Sequence, residues 1–394
     1  MQNSRVVGIN IILLVILASC STSASPTPAL QSMHTQPQTS PPSVTLTAVT
    51  SPAWVARLTA AVNTAPLLSG NLVIVPTADG VIHAVRAETG EIAWVYSGGS
   101  KVWDASVNAD EARVCAGAEG KQVFCLDAKT GSLLWTVTLE LEVQSRIALT
   151  SNRLFAPTTH AGSSLENDFS GQAVLVALDA SNGQIIWQAP TENYILRRPV
   201  VNDNIVITGG AYQLPDKSPG EIATRVYAFN LEDGSLLWKY ESNDGLLRWV
   251  ESSGDVVTFS AATEIVYALG LKDGQLLWQS NPGYWMQFPV MQDGRIFFGS
   301  GDEIFRALHA STGREAWLRK INIASLNQIG RPVIRDNAIW FNSVTGEIYA
   351  LDINSGERLA YINTGRSSRV GGTMNDAYYF MGDPDGSLYA YAIQ

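Results

Sequence analysis

The sequence predicts an all-β chain, folded as an eight-bladed β-propeller of four-stranded antiparallel blades, and three observations predict it. A hairpin unit recurs seven times at intervals of about 40 to 50 residues, the spacing of propeller blades. Six of the seven copies carry Trp four residues after a turn glycine. Two half-units at the ends of the repeat region complement each other. One is a carboxy-terminal strand that lacks its Trp strand, the other an amino-terminal Trp strand that lacks its predecessor.

The copies read IHAVRAETGEIAW (82–94), VFCLDAKTGSLLW (123–135), LVALDASNGQIIW (175–187), VYAFNLEDGSLLW (226–238), VYALGLKDGQLLW (266–278), FRALHASTGREAW (305–317) and IYALDINSGERLA (348–360). Alternating residues such as Val226, Ala228 and Leu236 are expected to face a sheet interior. The turn glycine supplies the positive φ that a tight turn with a bulge requires. Trp94, Trp135, Trp187, Trp238, Trp278 and Trp317 are expected to wedge between adjacent blades, where an indole buries much apolar area. The seventh copy has Ala360 at the Trp position, so its junction is expected to be the least well sealed. GSLYAYAIQ (386–394) and SPAWVARL (51–58) together complete an eighth blade, with Trp54 at the recurrent position. Pairing both ends in one sheet closes the ring over residues 51–394 and removes the free edges of an open array.

Residues 1–20 read as a signal segment. Arg5 precedes an apolar run from Val6 to Leu17, and Leu17-Ala18-Ser19-Cys20 resembles the lipobox of bacterial lipoproteins, which implies lipidation of Cys20. The run is shorter than the roughly 18 to 20 residues a membrane span needs. Residues 21–50 are rich in Ser, Thr, Pro and Gln and contain no Asp, Glu, Lys or Arg. Such a stretch buries too little apolar surface to offset its ordering entropy, and reads as a disordered, semi-stiff tether. Across the whole chain the net charge is −10. That argues against nucleic acid as a partner, because phosphate contacts need basic surface.

The repeat [VI]-Y-A-L-D-x-x-[TSD]-G-x-x-[LI]-W resembles the pyrroloquinoline-quinone (PQQ) repeat. The outline of residues 51–394 resembles the lipoprotein B subunits of the outer-membrane β-barrel assembly machinery. The resemblance implies a non-catalytic envelope lipoprotein that binds protein partners, a barrel-insertase subunit among them. It implies export and a lipid anchor, either on the periplasmic side of an outer membrane or on the outer face of a plasma membrane. In those lipoproteins a Leu-x-Leu-Arg stretch contacts the insertase. Here Tyr194-Ile195-Leu196-Arg197 takes a similar place; Leu196 and Arg197 match and Tyr194 departs. Quinoprotein dehydrogenases share the repeat, but grip their cofactor with a disulfide between adjacent cysteines and a calcium ion held by Glu, Asn and Asp. No adjacent pair exists here, so the resemblance implies no cofactor and no enzymatic activity. The alternatives are a carbohydrate- or small-ligand-binding or sensor propeller and, third, a PQQ-dependent dehydrogenase.

Site readings follow from the repeat frame. Cys115 and Cys125 fall opposite each other in a hairpin turning at Glu119-Gly120, and either a disulfide or two buried thiols is consistent with that. Two Cys without a nearby His do not complete a metal site. His34, His83, His160 and His309 fall in no nucleophile or metal-ligand arrangement, and Asp127, Asp179 and Asp352 occupy turn positions. No residue is a candidate for catalysis, cofactor binding or metal binding.

The segments entering each innermost strand give one equivalent residue per blade: Ala65, Ala105, Arg146, Arg198, Trp249, Phe288, Arg331 and Gly371. These should ring one mouth of the central channel. Trp103, Tyr194, Leu196, Arg197, Arg248, Tyr284 and Trp285 would enlarge the patch. Exposed Arg with aromatics has the composition of binding hot spots. The other reading pairs the arginines with local carboxylates and uses the aromatics to plug the channel. Two long loops, 158–172 and 210–225, read either as a shared recognition surface or as plain decoration.

Overall fold

In the computed structural model the repeats fold into eight antiparallel sheets, strand order running outward from the channel in sequence order. The structure describes residues 31–32, 50–98, 100–103, 107–159, 172–214, 222–283, 286, 288–321, 330–368 and 370–393. Blade 1 is Leu67–Ser69, Leu72–Pro76, Ile82–Arg86 and Ile92–Tyr96. Blade 2 is Asn108–Ala109, Arg113–Ala118, Gln122–Asp127 and Leu133–Thr138. Blades 3 to 7 repeat the plan, beginning at Ala148, Ile195, Trp249, Val290 and Val333. Blade 8 is composite: Thr373–Met374, Tyr378–Gly382 and Ser387–Ala392 are completed by Trp54–Arg57, with Trp54 opposite Ala390. The ring is closed as the sequence predicts. Gln31–Ser32 pairs in parallel with the outer strand of blade 5, at Ser280 and Asn281. Residues 1–30 and 33–49, with Cys20 and His34, lie outside the described residues.

The indoles join the blades through two contacts each. Trp54, Trp94, Trp135, Trp187, Trp238, Trp278 and Trp317 donate Nε1–H to the carbonyls of Ala87, Ala128, Ala180, Leu231, Leu271, Ala310 and Ile353 in the following blade, at 2.7–3.0 Å. Each ring also lies flat on the turn glycine of that blade. A Cβ at Gly183 would stand 2.5 Å from Trp135 Cε3, and one at Gly234 would stand 2.6 Å from Trp187 Cδ2. These glycines answer two demands at once, a left-handed φ (75° and 71°) and an indole at contact distance. Ala360 breaks the series where it must. The wedge would lie on a turn between the third and fourth strands of blade 8, and those strands are not consecutive in this chain. The junction is packed instead by a cluster that includes Trp340, Ile362, Tyr379 and Tyr391, with Ile393 at its edge, and Thr50 N–H donates to Asn363 O to tie the incoming segment to blade 7.

One expectation needs correcting. Leu236 does not face the sheet interior but is 53% exposed. In every third-to-fourth-strand hairpin of blades 1 to 7 the register slips before the Trp position; Phe229 pairs with Leu236 and Ala228 with Trp238, which leaves Leu237 as a bulge. The bulge turns the indole inward and both leucines outward.

The turn carboxylates fold the hairpins locally. Asp127 Oδ1 accepts from Thr130 Oγ1 at 2.8 Å and from the amides of Thr130 and Lys129. The Thr130 hydroxyl first, and these amides with it, hold the Asp127 carboxyl below its ordinary range; the Ser181 hydroxyl does so for Asp179 and the Ser355 amide for Asp352. A lowered folded-state pKa contributes stability above the unfolded value of about 3.9, and that stability is lost as pH falls through the folded value. The melting temperature is therefore expected to decline from pH 5 to pH 3, and less steeply in an Asp127→Asn, Asp179→Asn, Asp352→Asn variant.

Cys115 and Cys125 are directly opposed across blade 2 and joined as a disulfide in the structure, with Cα atoms 4.1 Å apart. Both lie in the apolar layer between blades 2 and 3. Closing a ten-residue separation constrains the unfolded chain by about 2–3 kcal/mol. Thermal melts with and without reductant are expected to differ accordingly, and Cys115→Ala/Cys125→Ala should abolish the difference.

Candidate binding site at the channel mouth

Strands alternate in direction, so the segments that enter the innermost strands emerge on the same face as the connections between second and third strands. That face holds the arginines. A cavity of about 780 Å³ opens there, and its lining includes Ala65, Arg146, Arg198, Phe288, Arg331 and Gly371, six of the eight positions read from the repeat. Trp249 instead lines an adjoining hollow of about 420 Å³ with Arg197, Arg248, Met286 and Phe288. Ala105, Tyr284 and Trp285 lie outside the described residues.

Several candidates are buried. Tyr194 is 1% exposed and Leu196 0%, so neither presents its side chain to a partner, and Trp249, 6% exposed, shows only an edge to its hollow. For Tyr194 and Leu196 the cause lies in blade 4. Its middle strands, Ile205–Gln213 and Ile222–Asn230, are nine residues each, longer than their equivalents elsewhere. Half of the expected loop 210–225 is therefore hairpin, with residues 214–221 between the strands, and residues 215–221 lie outside the described residues. Arg225 stacks 3.6 Å from the Tyr212 ring centroid and pairs with Glu241 and Glu192, which stiffens the extension. The lengthened strand then pairs with Ile195 and Leu196, at Ala211 and Gly210, and draws them into the sheet. Of the stretch 194–197, Ile195 and Arg197 remain partly exposed. Phe288 is 53% exposed on the mouth. Of the other long loop, residues 160–171, with His160, lie outside the described residues.

The sequence reading missed Glu251. It is 7% exposed, and its carboxylate accepts from Arg198 Nη2 and, at 3.1 Å, from Arg331 Nη2. A signal was present, since Glu251 is the one acidic residue in any of the eight innermost strands. Burial pushes Arg198 down from its ordinary range while Glu251 holds it up. Arg146 has no such partner among the described residues. Burial first, then the like charges of Arg198 and Arg331, push it down to about 10. The two readings of the arginines thus divide: Arg198 and Arg331 are paired, whereas Arg146 and Arg197 have no carboxylate partner among the described residues.

The mouth does not fit a quinone held through calcium. Its buried carboxylate is committed to two guanidinium groups, and the described residues include no group of three or more His, Cys, Asp or Glu that could hold a metal ion.

Comparison with known proteins matches residues 43–109, 96–167, 119–282 and 222–389 to the family described as outer membrane protein assembly factor BamB. The chain belongs to the BamB family. A BamB from Burkholderia pseudomallei is 27% identical over 192 residues, 47% of this chain and 46% of that protein, so this chain spans about half the length of that relative. The Yersinia pestis BamB is 24% identical over 323 residues, 74% of this chain and 77% of its own. Among solved structures, BamB from Moraxella catarrhalis aligns with TM-score 0.60 at 14% identity, covering 87% of this chain and 99% of that one. A quinohemoprotein alcohol dehydrogenase from Comamonas testosteroni aligns at 0.65 and 13% identity, covering 87% and 76%. At such identities the structural likenesses show the fold alone, and BamB proteins and quinoprotein dehydrogenases share it. Among the described residues no helix is long and apolar enough to cross a membrane.

Proposed function

We propose that this chain is a non-catalytic, protein-binding scaffold of the bacterial envelope, serving outer membrane protein assembly and held to the membrane by lipid on Cys20. The observation that carries this reading is the family match, which runs through all eight blades. The mouth supports it by offering Arg197, Arg248 and Phe288 around an open hollow, a combination suited to an interface. A barrel-insertase subunit is the partner expected from the resemblance, meeting this face while the amino-terminal lipid holds the ring at the membrane. Residues buried in the extended sheet of blade 4, Tyr194 and Leu196, would set the backbone of the contact and not touch the partner.

The full chain, expressed in the bacterium with its leader and recovered from detergent-solubilised envelope, is expected to co-purify with a barrel-insertase. Arg197→Glu with Phe288→Ala should weaken that recovery. Recovery of no outer-membrane assembly protein would overturn the reading. Dye-linked alcohol oxidation after loading with PQQ and calcium is the result that would favour the dehydrogenase alternative, and none is expected. Cys20→Ala should release the protein from the membrane fraction.

A further inference from the structure

Among the described residues the channel mouth carries more positive charge than it neutralises. Arg146, Arg198 and Arg331 line one cavity, and the carboxylate paired with them is Glu251, which is shared by the last two. Arg146 has no carboxylate within ion-pair distance among the described residues, and the charges nearest it are the other two arginines. A half-buried guanidinium facing like charges opposes folding, and no carboxylate among the described residues offsets it. In a chain of net charge −10 this is a local excess of cation, which concentrates anions in a recess with low-dielectric walls. Another part of the lining is different in kind: Pro66, Leu67, Pro332, Val333 and Val370 make an apolar wall, beside the polar Asn63, Thr64 and Thr373. Guanidinium forks match carboxylates in two-point contact, and the volume lies within the range of about 300–1,000 Å³ usual for small-ligand sites.

We infer that the mouth is a binding site for a carboxylate ligand with an apolar body, the carboxylate seated on Arg146 beside Arg198 and Arg331, the body on the proline and valine wall. Two sources present such a carboxylate, a free organic acid and an acidic residue flanked by apolar ones in a partner, and the probes below separate them. The inference stands on the geometry of the mouth and does not depend on the assembly role.

The test uses the full chain in detergent, with calorimetric titration and thermal melting. Probes are phenylsuccinate, the blocked peptide acetyl-Leu-Asp-Phe-amide, their neutral counterparts phenylsuccinamide and acetyl-Leu-Asn-Phe-amide, and inorganic phosphate. At least one carboxylate is expected to bind saturably while its amide does not. Binding by phenylsuccinate alone assigns a free acid, and binding by the peptide assigns a partner residue. Arg146→Gln is expected to weaken binding about tenfold or more and to melt above the parent, because it removes a repelled charge. Arg146→Lys, which keeps the charge without the fork, should fall between, and it serves if the Gln variant does not fold. The inference is overturned if neither carboxylate binds, if phosphate binds as tightly as either, if Arg146→Gln binds like the parent, or if it melts below it.

Discussion

Gly234→Ala is expected to destabilise the ring by about 3–5 kcal/mol, whereas Gly120→Ala is expected to cost about 1 kcal/mol. The two glycines have nearly the same backbone, φ 71° and 77°, so the strain of placing an L side chain there is common to both. Their surroundings differ. A Cβ at Gly120 meets nothing within 4 Å, whereas at Gly234 it would stand 2.6 Å from the Trp187 ring. Crowding of that degree adds about 1–3 kcal/mol. Displacing the indole also stretches its 3.0 Å hydrogen bond to Leu231 O, worth about 1 kcal/mol. Urea midpoints of the two variants check the contrast. The double variant Gly234→Ala/Trp187→Ala should cost less than the sum of the singles, because removing the ring removes the clash. Equal costs at Gly120 and Gly234 would mean that the glycines serve only the turn and that the wedge is not a contact on them.

The wedge, the blade count and the shared eighth blade were legible because they are periodic and local. A turn glycine and an indole four residues after it define one hairpin whatever surrounds it, and the seven copies of the unit fix the phase for the eighth. The bulge was less legible. Its presence follows from the turn, but its effect on Leu236 depends on which strand receives the extra residue, and alternation alone places that side chain inside. Tyr194 and Leu196 were misread for a similar reason. Whether a short stretch beside the channel is loop or strand depends on the length of the neighbouring hairpin, here extended to nine-residue strands by contacts of Tyr212 and Arg225 with Glu241. The ring positions of the arginines could be read from the repeat, but their partner could not. Glu251 of blade 5 meets Arg331 of blade 7, 80 residues away, and only closure of the ring brings them together.

Glu251→Gln is the complementary test of the mouth, and is expected to destabilise the protein by about 3 kcal/mol. Gln has nearly the volume of Glu, so no cavity is left, and the change isolates the charge. It strands Arg198 and Arg331 beside Arg146, three guanidinium groups with no counter-ion among them. Their side chains are 30% and 36% exposed, so water screens part of the repulsion, and the lower end of the range for breaking a buried pair applies. Two consequences separate this cause from ordinary core damage. Raising sodium chloride from 50 mM to 1 M should recover much of the lost melting temperature, because the Debye length contracts from above about 10 Å to about 3 Å. Arg331→Met should be destabilising in the parent but restore stability in the Glu251→Gln background. Glu251→Gln should also tighten binding of a carboxylate probe, since it removes the one carboxylate that competes for these guanidiniums among the described residues. A variant less stable alone yet better at holding an anion would show that Glu251 serves the empty mouth in the place a ligand carboxylate would take; unchanged stability with no salt dependence would show that the arginines are independent of one another.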